Sequence, residues 1–314
     1  MNGIESHTHF EGMFSPRAPV VAMLVAAFVS ASAVTAPAVE AQVSTPRPGQ
    51  QVALVTGSTS GLGRELALRL GSIGTHVIVH GRNRERGMEV VEAIESEAGG
   101  SARFYRADLA SFEQVREFGV AILRDYDRLD ILINNAGIAR TPDGRALSED
   151  GHELIFQVNH LSHFLLTRML LPRLFESAPS RIVNVSSGAQ TPIDFDDVML
   201  ENDFSGGRAY AQSKLAQIMF TFDLAEELEG RGVIVNTLHP ATYMDTPMVT
   251  RGGGTPRTTV AQGADAVMQL VTSPDIGSGG YFSGLQRRRA NAQAYDGEAR
   301  AKLWRLSEEL TGTR

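Results

Sequence analysis

The amino-acid sequence predicts an α/β protein: a single doubly wound domain with a parallel sheet flanked by helices on both faces. From residue 51 onwards, short continuous runs of Val, Ile and Leu alternate with longer segments of helical periodicity. Such uninterrupted apolar runs are typical of parallel strands that are buried on both faces. No internal repeat follows residue 50, so the 314-residue chain is expected to hold one such domain rather than two.

Each predicted element follows from this alternation. A helix is expected directly after the first strand, a charged helix after the second, a long helix over 149–175 and another over 208–230. One apolar stripe along the C-terminal tail predicts a further helix, which packs on the domain or across the interface of a homo-oligomer, a dimer or a tetramer. The strands are predicted at 52–56, 76–80, 102–108, 129–135, 181–187 and 233–240, and the stripe contains Ala299, Leu303, Leu306 and Leu310.

The composition excludes several classes of protein. A formal net charge of −7 with no basic face argues against a nucleic-acid partner. The one tight basic run, Arg287 to Arg289, is typical of a solvated surface. The absence of cysteine excludes disulfides, thiolate catalysis and cysteine-based metal sites.

The N-terminal segment differs from the rest of the chain. Residues 18–39 carry no charge, and a small-residue stretch ends at Ala41. Residues 1–41 therefore resemble a signal peptide or a membrane anchor, which would make the protein exported or membrane-associated. A start at Met13 would give a better-shaped signal, whereas an Ala-rich disordered extension or a misassigned start would leave the protein cytoplasmic. Residues 42–50 have the composition of a linker, and the folded domain is expected over 51–314.

A glycine-rich loop, TGSTSGLG, joins the first strand to the first helix. Gly57, Gly61 and Gly63 allow a tight turn and a close approach of the backbone to a ligand. The amides of the helix N-terminus can then bind a pyrophosphate. The spacing is G-x-x-x-G-x-G rather than G-x-G-x-x-G, but its place between strand and helix indicates a Rossmann-type dinucleotide site.

The residues after the second strand indicate which dinucleotide is bound. NAD sites place a carboxylate there, whereas this chain has Arg82 in the stretch HGRNRERG, where the first acid is Glu85. A guanidinium can bind the 2′-phosphate of NADP in bidentate fashion. The sequence therefore predicts NADP, with NAD as the alternative. Asp108 and Leu109, at the end of the third strand, are expected to lie at the adenine edge.

Candidate catalytic side chains follow in the second half of the chain. Tyr210 and Lys214 are four residues apart and share one helical face. A nearby ammonium favours a phenolate, which suits a tyrosine to proton transfer. Ser186 and Ser187 end the fifth strand, where ligands of open α/β sheets bind. Asn159 lies in an otherwise apolar helix and needs hydrogen-bond partners or a water there.

Seven motifs in this order resemble the short-chain dehydrogenase/reductase family, over about residues 51–285. They are TGSTSGLG, DL, NNAG, VNHLSHFLLT, RIVNVSS, YAQSK and HP. The retinol-dehydrogenase-like branch is the most similar. The resemblance implies the tetrad Asn159, Ser187, Tyr210 and Lys214. Tyr210 would be the general acid–base, Ser187 would orient the carbonyl, Lys214 would bind the nicotinamide ribose and lower the tyrosine pKa, and Asn159 would hold a relay water.

The same resemblance implies the reaction and the cofactor contacts. The enzyme would interconvert an apolar carbonyl compound and its alcohol by hydride transfer, with NADP(H) as cofactor. Ala241 stands where the family has glycine, and Thr246 lies one place later than usual, which puts the contacts of Thr242 and Thr246 in doubt. The expected cofactor-binding residues are Gly57, Ser58, Ser60, Gly61, Leu62, Gly63, Arg82, Asp108, Leu109, Asn135, Ala136, Gly137, Tyr210, Lys214, Pro240 and Thr242.

A long segment after the sixth strand, about 240–260, has neither helical nor strand periodicity. In a fold of this kind it would lie over the substrate, which predicts a flexible lid with a glycine hinge at 252–254. The side chains expected to face an apolar substrate are Tyr243, Met244 and Met248.

Two alternative interpretations have less support. His160 and His163 are three residues apart on a predicted helix, but no third ligand has fitting spacing, so no metal site is expected. A non-catalytic dinucleotide-binding module would bind the cofactor without turnover, and the complete tetrad argues against it.

Overall fold

The computed structural model describes residues 44–97 and 99–313. The predicted signal or anchor segment, residues 1–41, lies outside the described residues. None of the helices in the described part of the chain is both long and apolar enough to span a membrane. Of the predicted linker, Arg47 and Gln50 hydrogen-bond to the backbone of Gly99 and Gly74, at 3.2 and 2.8 Å.

The described residues form an eight-stranded sheet with the order β3-β2-β1-β4-β5-β6-β7-β8. All neighbouring strands are parallel except β7 and β8. The chain leaves β1 in one direction towards β2 and later returns to its other side with β4. The carboxyl ends of β1 and β4 therefore border a crevice, the usual ligand site of such sheets. The strands are β1 (Val52–Val55), β2 (His76–Gly81), β3 (Ser101–Arg106), β4 (Ile131–Asn134), β5 (Ser180–Val185), β6 (Val233–His239), β7 (Gly280–Ser283) and β8 (Gln286–Arg287).

Helices cover both faces of the sheet, as predicted. Successive residues of β1 show how: Val52 and Leu54 belong to one apolar cluster, and Ala53 and Val55 to another. The first cluster is closed by α3, α5, α6 and α9, the second by α1, α2 and α8. The helices are α1 (Gly61–Ser72), α2 (Arg84–Glu95), α3 (Phe112–Asp125), α4 (Leu154–Phe156), α5 (Ser162–Glu176), α6 (Gly206–Glu227), α7 (Pro247–Thr250), α8 (Val260–Thr272) and α9 (Gly297–Thr311), with a π-helical turn over Gln157–Leu161 and a 3-10 turn over Ala292–Tyr295.

The long helix predicted over 149–175 differs from the structure in two ways. It begins only at Leu154, because the Glu153 carboxylate caps it by accepting the N–H groups of Ile155 and Phe156 at 3.0 and 2.7 Å. It is also interrupted by the π-turn over Gln157–Leu161. The apolar periodicity of the sequence contains no sign of either feature.

The predicted C-terminal helix is confirmed as α9. Ala299 and Leu303 are buried, and Leu306 and Leu310 pack partly buried against the same cluster. This packing accounts for the apolar stripe within one copy of the chain.

Candidate active site

The glycine-rich loop lies at the crevice, and its glycines are needed there. Gly57 and Gly61 have φ values of +66° and +53°, in the left-handed region that favours glycine. A Cβ on Gly57 would lie 2.9 Å from the Ala136 Cα, and one on Gly63 would strike the Gly57 carbonyl. At the start of α1, Ser60 makes no side-chain capping bond. The loop therefore presents bare backbone and helix-end amides to the crevice.

Two other residues of the glycine-rich loop, Ser58 and Leu62, are buried. The Ser58 hydroxyl accepts the His80 N–H at 2.9 Å, and Leu62 belongs to the cluster under α1. His80 was missed by the sequence interpretation. Its Nδ1 accepts the N–H of Gly57 at 3.1 Å, so this ring fixes the first glycine of the loop. The sequence feature that could have indicated this role is a histidine at the end of a buried strand.

The segment after β4 is tied to the glycine-rich loop. The Asn135 side chain donates to the Thr56 carbonyl at 2.9 Å, and the Thr56 Oγ1 accepts the N–H groups of Asn135 and Ala136 at 2.9 and 3.0 Å. The side-chain amide of Asn135, a predicted cofactor-binding residue, is thus hydrogen-bonded to the glycine-rich loop. Gly137 follows, where a Cβ would lie 3.1 Å from Asn159 Oδ1 and 3.4 Å from Lys214 Nζ.

Arg82 and Asp108 meet beyond the carboxyl ends of β2 and β3. Arg82 Nη1 lies 3.4 Å from Asp108 Oδ2, and the Arg82 side chain is 69% exposed. Leu109 beside them is buried. This pair is loose and open to solvent, so the guanidinium can turn to an anionic ligand at little cost.

Asn159 lies in the π-turn and is fully buried. Its Oδ1 accepts the Ile138 N–H at 2.8 Å, and its Nδ2 donates to the Ile138 carbonyl at 3.0 Å and to Ser213 Oγ at 2.9 Å. A π-turn inside an α-helix often marks a functional site. Here it brings an amide side chain into register with the segment after β4.

Ser187 lies in the loop just after β5, and Tyr210 lies in the first turns of α6. The Ser187 Oγ accepts the Ala189 N–H at 3.1 Å. Burial raises the pKa of the Tyr210 phenol above its ordinary value, and the neighbouring Ser187 hydroxyl counteracts part of that. In the protein alone, burial thus outweighs the lowering of the tyrosine pKa that was expected from Lys214.

Lys214 is buried beside the tyrosine. Its Nζ lies 5.7 Å from the centre of the Tyr210 ring and donates to the Val185 carbonyl at 3.0 Å and to Gln217 Oε1 at 2.9 Å. Burial lowers the pKa of this ammonium to about 7. The structure therefore brings the side chains of the predicted tetrad together at one end of the crevice, with a lysine whose charge changes near neutral pH.

Two further residues hold the serine loop. The Ser187 carbonyl accepts from the Tyr281 hydroxyl at 3.2 Å and from Gln190 Nε2 at 3.0 Å. Gln190 in turn accepts the Asn291 N–H at 2.7 Å. Neither residue was predicted from the sequence: Tyr281 reaches Ser187 only through the tertiary fold, and Gln190, three residues from Ser187, belongs to no recognisable motif.

The segment over 240–260 is more ordered than its sequence suggested. It contains α7, and a parallel bridge joins Met244 to Thr258. Thr246 lies against the glycine-rich loop, since a Cβ on Gly61 would be 3.3 Å from its Cγ2. Thr242 Oγ1 is 3.0 Å from His239 Nε2, and buried Pro240 precedes it.

The side chains predicted to face the substrate from this segment divide into two kinds. Tyr243 and Met248 are exposed, by 51% and 42%. Met244 instead packs against the apolar cluster beneath α8, which corrects the prediction for that residue. Tyr243 also has a φ of +49°, uncommon for a residue with a Cβ.

The crevice fits a dinucleotide. The glycine-rich loop turns tightly against the segment after β4, since Cβ atoms on Gly57 and Gly63 would strike Ala136 and the Gly57 carbonyl. The uncapped amides at the start of α1 favour the charge of a pyrophosphate, and Gly137 leaves the backbone close to Asn159 and Lys214. The tetrad at one end and Arg82 at the other would be available to the two halves of such a molecule.

The family model described as short chain dehydrogenase matches residues 51–254. With the fold and the assembled tetrad, this match shows that the chain belongs to the short-chain dehydrogenase/reductase family. It is an oxidoreductase of that family, with a nicotinamide cofactor and a small-molecule substrate. The predicted family, fold and class of enzyme are confirmed.

The relatives define the branch. The chain is 38% identical over 288 residues to human retinol dehydrogenase 13, covering 84% of this chain and 85% of that protein. It is also 38% identical to mouse retinol dehydrogenase 14, covering 82% and 85%. These matches confirm the similarity to the retinol-dehydrogenase-like branch.

Solved structures agree with this assignment. An uncharacterised protein from Mycobacterium paratuberculosis shares 31% identity and superposes with a TM-score of 0.70, covering 85% of this chain and 96% of that one. A short chain dehydrogenase from Escherichia coli, solved with NADPH, shares 27% identity at a TM-score of 0.61, covering 75% and 97%.

Proposed function

We propose that the protein is an NADP(H)-dependent oxidoreductase that interconverts an apolar aldehyde or ketone and its alcohol. The observation that carries this proposal is the arrangement of Ser187, Tyr210 and Lys214 around one end of the crevice, with Asn159 fixed behind them. Bound there, the nicotinamide would supply or take up the hydride.

Ser187 and Tyr210 would act on the substrate oxygen. The Ser187 Oγ already accepts the Ala189 N–H, which leaves its own hydrogen free to donate to a carbonyl oxygen. The Tyr210 hydroxyl would give its proton to that oxygen during reduction and take it back during oxidation. Burial, which holds the pKa of the phenol high, keeps the proton on Tyr210 until the substrate is present.

Lys214 would assist from behind the tyrosine. Two of its three N–H donors are used by Val185 and Gln217, and the third is available to the ribose or the phenol. A positive charge there favours the phenolate. Asn159 would hold the relay water, as the family resemblance implies.

Arg82 supports NADP as the preferred cofactor. It is exposed, loosely paired, and stands where a NAD site would have a carboxylate. Neighbouring solved structures were determined with NADP or NADPH. We therefore assign Arg82 to the 2′-phosphate.

An apolar substrate is supported by the segment over 240–260 and by the relatives. Tyr243 and Met248 expose apolar surface beside the crevice, and Thr246 brings this segment against the glycine-rich loop. Relatives named retinol dehydrogenases act, by their names, on an apolar alcohol. We propose that the segment is a lid and that the substrate is a medium-sized apolar alcohol or aldehyde of this kind.

A turnover assay on the full-length chain tests the proposal. Oxidation of NADPH and of NADH is followed with a panel of apolar aldehydes and ketones, retinal included, and the reverse reaction with the alcohols. We expect NADPH-preferring activity, and a fall in kcat of about 10²- to 10⁴-fold in Tyr210→Phe, the usual contribution of general acid–base catalysis.

Tyr295→Phe is the matched control, because this tyrosine is exposed at 43% and lies outside the tetrad. Its kcat should equal that of the wild type. Tight binding of NADPH without turnover in either direction would instead indicate a non-catalytic binding module.

A further inference from the structure

Two buried histidines on one helix differ in what they contact. His160 lies in an aromatic cluster, and its Nε2 is 2.8 Å from Ser307 Oγ on α9. His163 faces the opposite way. Its Nε2 is 2.9 Å from Thr56 Oγ1, and its Nδ1 is 2.9 Å from the backbone carbonyl oxygen of Asn159. Of the two, only His163 therefore contacts Thr56 at the cofactor crevice.

The direction of both His163 hydrogen bonds follows from their partners. Burial lowers the pKa of this imidazole to about 3, so the ring is neutral and carries one hydrogen. The Asn159 carbonyl can only accept, which places that hydrogen on Nδ1. Nε2 then accepts the Thr56 hydroxyl hydrogen, although the Ile133 carbonyl, 3.4 Å from the same hydroxyl, competes for it.

These bonds close a circuit around the site. The Thr56 oxygen accepts the backbone N–H groups of Asn135 and Ala136, on the segment that leaves β4. Three residues after Asn135, Ile138 exchanges two hydrogen bonds with the Asn159 side chain. The segment after β4 and the π-turn are thus joined twice, directly through Asn159 and indirectly through Thr56 and His163.

We infer that His163 is a positioning residue: it holds the π-turn that carries Asn159 in register with the backbone beside the cofactor. This inference rests on the proposed function. Groups that must meet a substrate within a few tenths of an ångström depend on such supporting contacts. A histidine that only filled the core would need no partner at the crevice, and His76 provides that comparison, since its ring contacts Ser101 and Tyr126 at the start of β2.

Two substitutions separate the two bonds of His163. The amide of His163→Asn reaches about as far as Nδ1 and can keep the bond to Asn159. The amide of His163→Gln reaches about as far as Nε2 and can keep the bond to Thr56. His76→Asn is the control, because it also opens a buried histidine site but lies at the start of β2, outside the circuit and the π-turn.

The measurements are kcat and KM with NADPH and an active aldehyde, the NADPH Kd by calorimetry, and the thermal midpoint. We expect all three variants to lower the thermal midpoint. His163→Gln should lower kcat about tenfold and His163→Asn about threefold, as loss of one modest hydrogen bond would, with the NADPH Kd within about twofold. His76→Asn should keep the wild-type kcat.

The inference is overturned if both His163 variants have the kcat of His76→Asn, since their only effect would then be on stability. Should neither His163 variant fold, Thr56→Val opens the circuit while keeping the imidazole, and an unchanged kcat in that variant would overturn the inference. A wild type that binds NADPH but turns over nothing would overturn the proposed function and this inference together. An active wild type with unaffected His163 variants would overturn this inference alone.

Discussion

The two ends of the cofactor crevice are built differently. At the tetrad end, Asn159 and Lys214 are buried, and each makes short hydrogen bonds to fixed partners. At the arginine end, Arg82 is largely exposed and has one contact of 3.4 Å with Asp108. A buried network is costly to alter because removal of any partner leaves an unsatisfied polar group, whereas an exposed side chain can be exchanged freely. We therefore expect the reaction to tolerate few substitutions at the tetrad end, and the choice of cofactor to change readily by substitution at the arginine end.

The strongest test of the tetrad end is Lys214→Met. The substitution keeps an unbranched side chain of similar length but removes the ammonium that would hold the ribose and favour the phenolate. We expect kcat to fall by about 10³-fold, within the range for lost acid–base assistance. Thermal stability should also fall, because the Val185 carbonyl and Gln217 Oε1 lose their donor, although the variant no longer bears the desolvation cost of a buried ammonium.

Lys302→Met is the matched control, since the chain has only two lysines and Lys302 is half exposed on α9. Steady-state kinetics on both variants decide the matter. If Lys214→Met retained more than about a tenth of the wild-type kcat, the buried network would not be needed for the chemistry.

The arginine end is tested by Arg82→Asp. The carboxylate would repel a 2′-phosphate and could accept a hydrogen bond from a ribose hydroxyl. We expect the ratio of kcat/KM for NADPH over NADH to fall by about 10- to 100-fold, because one charge-assisted hydrogen bond to NADPH is removed and one to NADH is formed. The thermal midpoint should stay within the error of the wild type, because the side chain is exposed.

Arg86→Asp serves as its control, with the same change of charge on an exposed residue in the first turn of α2. An equal loss of NADPH preference in both variants would mean that general electrostatics, and not Arg82, select the cofactor. An unchanged preference in Arg82→Asp would mean that Arg82 does not bind the 2′-phosphate.

The glycine-rich loop and the pair Tyr210 and Lys214 follow local patterns, namely a strand end, a helix start and i, i+4 spacing, whereas the full tetrad with Ser187 and Asn159 was implied by the family resemblance. The sequence did not reveal the supporting contacts. His80 meets Gly57 across 23 residues, and Tyr281 meets Ser187 across 94. Such pairs depend on strand order, which no single-sequence pattern contains. The π-turn at Asn159 was missed for a similar reason, since apolar spacing does not distinguish it from a regular helix.

Burial of polar groups near the tetrad end also lowers the stability of the folded state at acid pH. The pKa of His160 is lowered from 6.5 to about 3 by burial. Because the folded-state pKa is the lower one, the unfolded chain binds more protons between these values. The stabilising effect of a neutral ring is therefore complete above about pH 6.5 and is lost as the pH falls towards 3, by about 1.4 kcal/mol per pH unit.

Denaturant unfolding of His160→Asn at pH 7 and pH 5 isolates this effect. The variant should be destabilised at pH 7, and the deficit relative to the wild type should shrink by about 2 kcal/mol at pH 5, because the variant has no imidazole to protonate. Ser307→Ala breaks the same hydrogen bond but keeps the ring, so its deficit should change much less. A deficit in His160→Asn that is independent of pH would show that this ring is not held neutral.

The smallest effect is expected in the segment over 240–260, which resembles the arginine end in being exposed. Met248→Ser removes apolar surface that is already 42% exposed, so only part of a methionine's transfer free energy is at stake. We expect KM for an apolar aldehyde to rise about threefold, with kcat and the NADPH Kd unchanged.

Val120→Ser, similarly exposed on α3, should leave KM unaltered. If the two variants behave alike, Met248 does not face the substrate and the segment is not a lid. If KM rises in Met248→Ser alone, substrate choice, like cofactor choice, depends on exposed residues around a fixed catalytic end.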